Sequence, residues 1–381
     1  MHIFMTSLLN VEKIIEKLQV LGLTQASVAG DLNVSREAVS KWLKNETFPR
    51  PDKLLKLARR LELSFSDLVI APPATNEPVV AFRKKGRKKI TPEYLEQARD
   101  MGRILATLVP LLPFDELSQP TILKSPSTDY SYIQKVAKRI RGSIGIPDTD
   151  EVPFPKLIQF FNELHAIIIP VLRGDKENHD NALHIYLPAS MTTWIYLNLD
   201  CRVHDFKYWM CHELGHVHAP QLGGDLGEDF SEAFAGALLV PEELAQREYG
   251  QLRRLANIGK QINQIKSVAD HLVVSPFTVY SEINKYAAHH QLPKIDLESN
   301  NEIHKATSNF NKNYNLVSEY IFDTKTPSPH QYVACAKEQF GSPFFEMLRT
   351  HIADKRKSAS FIQAILNIPL LDAQNIYEEL C

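Results

Sequence analysis

The chain has 381 residues, 44% hydrophobic and 23% charged, the composition of a soluble globular protein too long for one ordinary core, so two or three domains are expected. No apolar run approaches the roughly 18 residues that a membrane span needs, and Asn10, Glu12 and Lys13 interrupt the apolar opening too early for a secretory leader. The formal net charge of −2 hides a division: Met1 to Lys89 carries 16 Lys/Arg against 9 Asp/Glu, so the rest of the chain is strongly acidic and only the front suits nucleic acid.

The first 70 residues hold short helical patterns separated by turns. Thr24 can cap a helix whose Val28, Ala29 and Leu32 share one face, and Asn33-Val34 makes a turn. Ser35 caps the next helix, Arg36 to Lys44, with Val39 and Leu43 inward and Arg36, Glu37, Ser40, Lys41 and Lys44 outward. Pro51 to Arg60 and Ser64 to Val69 read as closing helices. This is a helix-turn-helix whose second helix offers polar and basic side chains to a major groove. In order and length the segment resembles the Cro/C1 (Xre-type) repressor domain, a five-helix module. The resemblance implies a double-stranded DNA operator, binding as a homodimer, and a contact set of Gln25, Ser35, Arg36, Ser40, Lys41 and Lys44.

Residues 71–90 read as a linker. Ala71 to Pro78 is proline-rich and extended, and Arg83 to Lys89 concentrates six positive charges that would add non-specific phosphate affinity or simply sit in solvent. Thr91 then starts a helix to about Leu112, followed by helices at Tyr130 to Gly142 and Pro155 to His165. Strand signals occupy Ala166 to Val171, Leu183 to Leu187 and Trp194 to Leu199. A sheet edge beside a cleft could take up an extended substrate strand. His204 reads as either a substrate contact or a plain surface histidine.

The decisive stretch is Trp209 to Val217, which contains His-Glu-x-x-His. On a helix of 3.6 residues per turn, His212 and His216 share one face and can bind one metal ion, while Glu213 can act as general base on a metal-bound water. Cys211, one position before His212, points off that face and reads as a buried small residue. It is one of four scattered cysteines (Cys201, Cys211, Cys335, Cys381) with no Cys-x-x-Cys pair, as expected for free thiols in a reducing cytoplasm. A breaker-rich loop separates this helix from a second, Glu228 to Val240, stopped by Pro241. Its Glu228 and Glu232 lie four apart on one face, so either can complete a His2-Glu site and leave a position for water.

This pair of segments resembles the ImmA/IrrE family of zinc metallopeptidases, in which a His-Glu-x-x-His helix precedes a Glu-bearing helix that ends in Ala-x-Leu-Leu-x-Pro, here Ala235 to Pro241. By that resemblance the metal-binding glutamate is Glu228. Position 232 is often Asn in the family but is Glu here, which keeps Glu232 as the alternative third ligand, with His218 behind both. The resemblance also implies zinc, with manganese as the alternative, and a protein substrate such as an Xre-type repressor or antitoxin, this chain itself included.

Behind the peptidase the chain echoes its own front. Val28-Ala29-x-x-Leu32-x-Val34-Ser35-x-x-x-Val39-x-x-x-Leu43 recurs as Val268-Ala269-x-x-Leu272-x-Val274-Ser275-x-x-x-Val279-x-x-x-Ile283. The outward positions of the echo, Pro276, Phe277, Thr278, Tyr280, Ser281 and Glu282, include no base, so it is expected to support the fold or contact protein. Leu297 to Tyr314 reads as a polar loop and Leu316 to Cys381 as helices without a trusted motif.

The expected architecture is mainly α with a small β-sheet (α+β). Its parts are a DNA-binding domain (1–70), a linker (71–90), a zincin-like peptidase domain (91–254), a second helix-turn-helix-like module (255–295) and a helical C-terminal region (296–381). The expected protein is a cytoplasmic DNA-binding regulator with zinc endopeptidase activity. The alternative is a repressor or antitoxin whose metal domain is structural or grips a partner.

Overall fold

A computed structural model describes residues 8–44, 47–70, 77–81, 92–113, 123–172, 182–220, 222, 224–322, 324 and 327–381. The front comprises β1 (Leu8–Leu9), α1 (Val11–Val20), α2 (Gln25–Asp31), α3 (Arg36–Leu43), α4 (Pro51–Leu61), α5 (Phe65–Leu68) and β2 (Val69–Ile70). Thr24 caps α2 through a reciprocal bond with Ser27, and the Ser35 hydroxyl accepts from the Ala38 N–H at the start of α3. Between them Asn33 takes a left-handed φ of 52°, a conformation its short amide tolerates, and the Val34 N–H closes the turn on the Ala29 carbonyl at 2.9 Å. The last helix is shorter than the pattern suggests. β-branched Val69 and Ile70 leave it to pair antiparallel with Leu9 and Leu8, so the two ends of the module close on each other.

The proline-rich and basic stretches of the linker fall on residues 71–76 and 82–91, outside the described residues. Between them, Val79–Ala81 is not linker but strand β3. Helix α6 (Pro92–Ala106) ends earlier than expected and gives way to a 3-10 turn, Val109–Leu111, because Pro110 cannot continue an α-helix. Next come α7 (Tyr130–Ser143), α8 (Phe154–Glu163), β4 (Ile167–Val171), β5 (Ala182–Leu187) and β6 (Thr192–Asn198). The strand order is β3-β5-β6-β4, with β4 parallel to β6 and the other pairs antiparallel.

Strand alternation gives this sheet two apolar faces. Ile168, Ala182, Ile195 and Leu197 join one core cluster, while Ile167, Ile169, Leu183, Ile185, Trp194 and Tyr196 join another. Each fully buried isoleucine contributes about 1.5–3 kcal/mol by leaving water. Helices occupy both sides, so the sheet is a middle layer.

On the first face lie α9 (Val203–His218) and α10 (Gly224–Leu239), supported from behind by α11 (Glu242–Arg254), α12 (Ile258–Leu272) and α13 (Pro276–His289). The segment expected to be a loop contains helix α14 (Glu302–Asn311). Its polar surface residues mask a two-residue apolar stripe, Ile303 and Ala306, which is buried where α14 meets α12 and α13. After α15 (Val317–Phe322), helices α16 (Pro329–Glu338), α17 (Phe344–Lys355), α18 (Ala359–Leu366) and α19 (Leu370–Leu380) complete the chain. These C-terminal helices cover the second face. Tyr196 donates from within the sheet to the Ile365 carbonyl at 2.7 Å, and Tyr332 donates back to the Pro170 carbonyl at 2.6 Å.

The core of the front module belongs to that same second cluster, continuous with α6 and the C-terminal helices. Arg59 on α4 donates to the Pro110 carbonyl at 3.0 Å across the junction. The fold is thus α+β, mainly helical around one small mixed sheet. Among the described residues no helix is long and apolar enough to cross a membrane.

Candidate metal centre and nucleic-acid interface

Helix α9 is buried along nearly its whole length, because it lies between the sheet, α8 and α10. Its close approach to α10 depends on Gly215: a Cβ built there would lie 2.8 Å from the Cα of Ser231. At the near end of this contact, α10 presents Glu228 to the two histidines of α9.

The resulting geometry is compact. His212 Nε2 and His216 Nε2 are 3.2 Å apart. The Glu228 carboxylate spans both, with Oε2 at 3.3 Å from His212 and Oε1 at 3.4 Å from His216. Among the described residues these three form the single cluster of three or more His, Cys, Asp or Glu side chains able to share an ion. Burial pushes the Glu228 carboxyl up, but the two histidines outweigh it and bring it down to about 2. Glu228 keeps 29% of its side chain exposed, so the cluster is open on one side.

Glu213 sits one step round the helix. It is buried, and neither carboxylate oxygen has a hydrogen-bond partner among the described residues. Burial first, and the charge of Glu228 second, hold its carboxyl well above the ordinary carboxylate value. An unpartnered buried carboxylate is costly for stability alone, and this one lies one residue from His212 of the cluster.

The other expected participants fall elsewhere. Glu232 is exposed and lies outside this cluster, and its charge reaches Glu282. His218 is buried against Phe160 and Phe234, outside the cluster. Cys211 is buried, with its thiol pushed up to about 12 by burial. His204 is neither a surface residue nor a cleft residue. It is buried and stacked on Tyr314 at 4.8 Å, because the start of α9 is tied to the chain before α15 by the Arg202–Leu316 bridge.

One residue of the centre was read only as part of a strand. His184 on β5 faces away from Leu183 and Ile185, toward α9, and its ring stacks on His216 at 5.6 Å. Its Nε2 has no hydrogen-bond partner among the described residues, and burial holds the ring well below the usual histidine value. The signal was a polar residue inside a strand buried on both faces, where a hydrophobe is expected at either parity. Lys207 is likewise buried in α9, donating to Glu151 and to the Leu272 carbonyl, both at 2.7 Å. It fixes α9 to the end of α12.

At the front, Ser35, Arg36, Lys41 and Lys44 are exposed, and Gln25 and Ser40 are half-buried on the same module. Lys41 pairs with Glu37 at 3.2 Å, an exposed contact easily exchanged for a phosphate. The Ser35 hydroxyl also accepts from the Ala38 N–H and so caps α3, which leaves its O–H able to donate. Trp42, not Leu43, is the deeper inward residue of α3.

The echo repeats the front turn: Val273 also has a φ of 52°, and the Val274 N–H reaches the Ala269 carbonyl at 2.9 Å. Its second helix departs from expectation. Pro276, Tyr280 and Glu282, assigned outward, are buried, because α13 is covered by α10, α11 and α14. Phe277, Thr278 and Ser281 remain half-buried on its outer side.

A helix-turn-helix family model matches residues 14–68. The front is therefore a DNA-binding module of the kind found in transcription regulators. Among curated proteins and among solved structures, none matches the chain.

Proposed function

We propose that this DNA-binding regulator carries a zinc-dependent endopeptidase centre, with His212, His216 and Glu228 as metal ligands and Glu213 as general base. The observation that carries the reading is the convergence of two imidazole nitrogens and one carboxylate beside a buried, unpartnered Glu213. The donor set suits zinc, with manganese as the alternative, and its open side leaves room for water. A bound zinc ion would acidify a water and polarise a peptide carbonyl.

The chain's own residues divide the remaining work. Glu213 takes the proton of the attacking water and delivers it to the leaving amine, a role matched to a carboxyl held above its ordinary value. Glu228 stays ionised beside the histidines and contributes the negative charge of the ligand set. Lys207 ties α9 to the end of α12, and Gly215 lets α10 approach closely enough for these groups to meet. The ImmA/IrrE resemblance supports a protein substrate, an Xre-type repressor or antitoxin, this chain included. The module at the front would bring it to an operator as a dimer, one copy per half-site, in the cytoplasm.

One observation favours a second reading, a non-proteolytic repressor or antitoxin with a structural metal site. The edge of β5 beside the centre is already covered by β3.

The test compares wild type with Glu213→Gln, each analysed for bound metal and then incubated with zinc or manganese, with DNA and with candidate repressors, while mass spectrometry follows chain lengths. Cutting by wild type alone supports the peptidase. No metal in either protein after reconstitution sinks it.

A further inference from the structure

Strand β3 is three residues long and pairs antiparallel with β5, placing Val79 opposite Tyr186, Val80 opposite Ile185 and Ala81 opposite His184. It therefore ends beside the one strand residue that stacks on a ligand of the metal cluster. It also touches α10, the helix that carries Glu228. The fit on the sheet is shallow: Val79 is 41% exposed and Val80 only half-buried. The firm hold is at the other end, where Pro78 fits against Gly102 on α6 and Glu77 pairs with Arg103 at 2.7 Å.

We propose that the outer edge of β5 is the peptide-binding subsite of the metal centre, and that Val79–Ala81 fills it in cis. The ligand class is an extended apolar peptide that adds antiparallel to β5 through main-chain hydrogen bonds. His184 supports the assignment independently, as a buried polar side chain with an unpartnered Nε2 on the centre's side of this strand. A substrate must displace β3 before its backbone can reach the ligands. The proposal rests on the peptidase reading, and it accounts for the covered edge without abandoning that reading.

The test uses the full chain in a Glu213→Gln background, where no peptide is cut. Two changes loosen β3 by different routes. Val80→Pro removes an N–H and stiffens the strand. Gly102→Ala places a Cβ 2.5 Å from the Pro78 ring. The probe is a fluorescein-labelled peptide spanning residues 74–81, followed by anisotropy, with circular dichroism to establish folding. If β3 holds the edge at least nine-tenths of the time, either change tightens peptide binding by about tenfold or more. Backbone amides of Leu183 to Leu187 exchange faster in both variants and are protected again by the peptide. Equal affinity in all folded proteins, or no binding by any, overturns the proposal. Zinc content measured on the same samples separates the two ideas. Tighter binding without zinc leaves a peptide subsite and removes the peptidase, whereas zinc without tighter binding does the reverse.

Discussion

Gly215 and Ser231 are in contact with no room for a side chain on the glycine: a Cβ there would lie 2.8 Å from both the Cα and the Oγ of Ser231. The first of these is backbone, which cannot rotate aside. Gly215→Ala therefore forces α9 and α10 apart, at a cost of roughly 1–3 kcal/mol for overpacking. Glu228 moves with α10, so zinc affinity falls as well. Urea unfolding and a zinc titration on the same protein check both effects, and unchanged values in both would show that the helices yield freely.

Zinc should raise the unfolding temperature of wild type, by an amount set by mass action. At a free concentration a hundredfold above the dissociation constant, the gain is about 2.7 kcal/mol. His212→Ala, His216→Ala and Glu228→Ala are each expected to abolish that gain. Glu232→Gln is expected to retain it, because Glu232 is exposed and outside the cluster. Calorimetry with and without a chelator reads the difference, and loss of the gain in Glu232→Gln would reassign the third ligand.

Glu213→Gln should keep zinc, because it leaves all three ligands in place, while peptide hydrolysis falls by about 10²–10⁴-fold with loss of the base. Single-turnover rates on a cleaved repressor provide the measurement. A variant that cuts normally would transfer the proton work to another residue.

Glu282 gives a pH signature away from the His212–His216–Glu228 cluster. Its carboxyl is buried against Gly236, and burial raises it above its ordinary value of 4.5 despite the Lys285 ammonium 2.7 Å away. The folded state thus holds the proton more tightly than the unfolded state. The neutral acid's contribution to stability is fully present below 4.5 and is lost as pH rises from there through the folded value. Glu282→Gln, which stays neutral, should gain stability relative to wild type as pH climbs from 4 to 7. Parallel urea midpoints across that range would contradict this.

At the front, Arg36→Ala and Lys41→Ala should weaken DNA binding. For each phosphate contact removed, the salt dependence of log K falls by about 0.9. A base contact instead costs about 1–3 kcal/mol at one operator position. Titrations at several salt concentrations tell the two apart.

The front helices and the convergence of His212 with His216 were legible because their signals are local. Thr24, Ser35 and the 3.6-residue spacing of Val28, Ala29 and Leu32 are complete within a few turns, as is His212-x-x-x-His216. Glu228 needed the second helix, and the structure places it where that spacing allows. What escaped notice depends on distant partners. Val79–Ala81 is too short for its two valines to mark a strand, and it becomes one because β5 offers an edge. His184 acquires meaning only when α9 packs over it. Tyr280 and Glu282 look like surface residues until α10 and α14 close over them, and α14 has too few apolar residues to announce itself.

The continuity of the front module with the outer face of the sheet changes what one cut could achieve. Leu55, Leu68, Trp194 and Leu348 share one apolar cluster, with no solvent layer dividing the DNA-binding module from the sheet. If a peptide bond between Ile70 and Glu77 were hydrolysed, both fragments would still hold each other by that buried surface. Scission would remove only the tether, and with it the high local concentration that the covalent link guarantees. Release from an operator would then follow dilution and time, giving a response graded by how fast the severed halves drift apart.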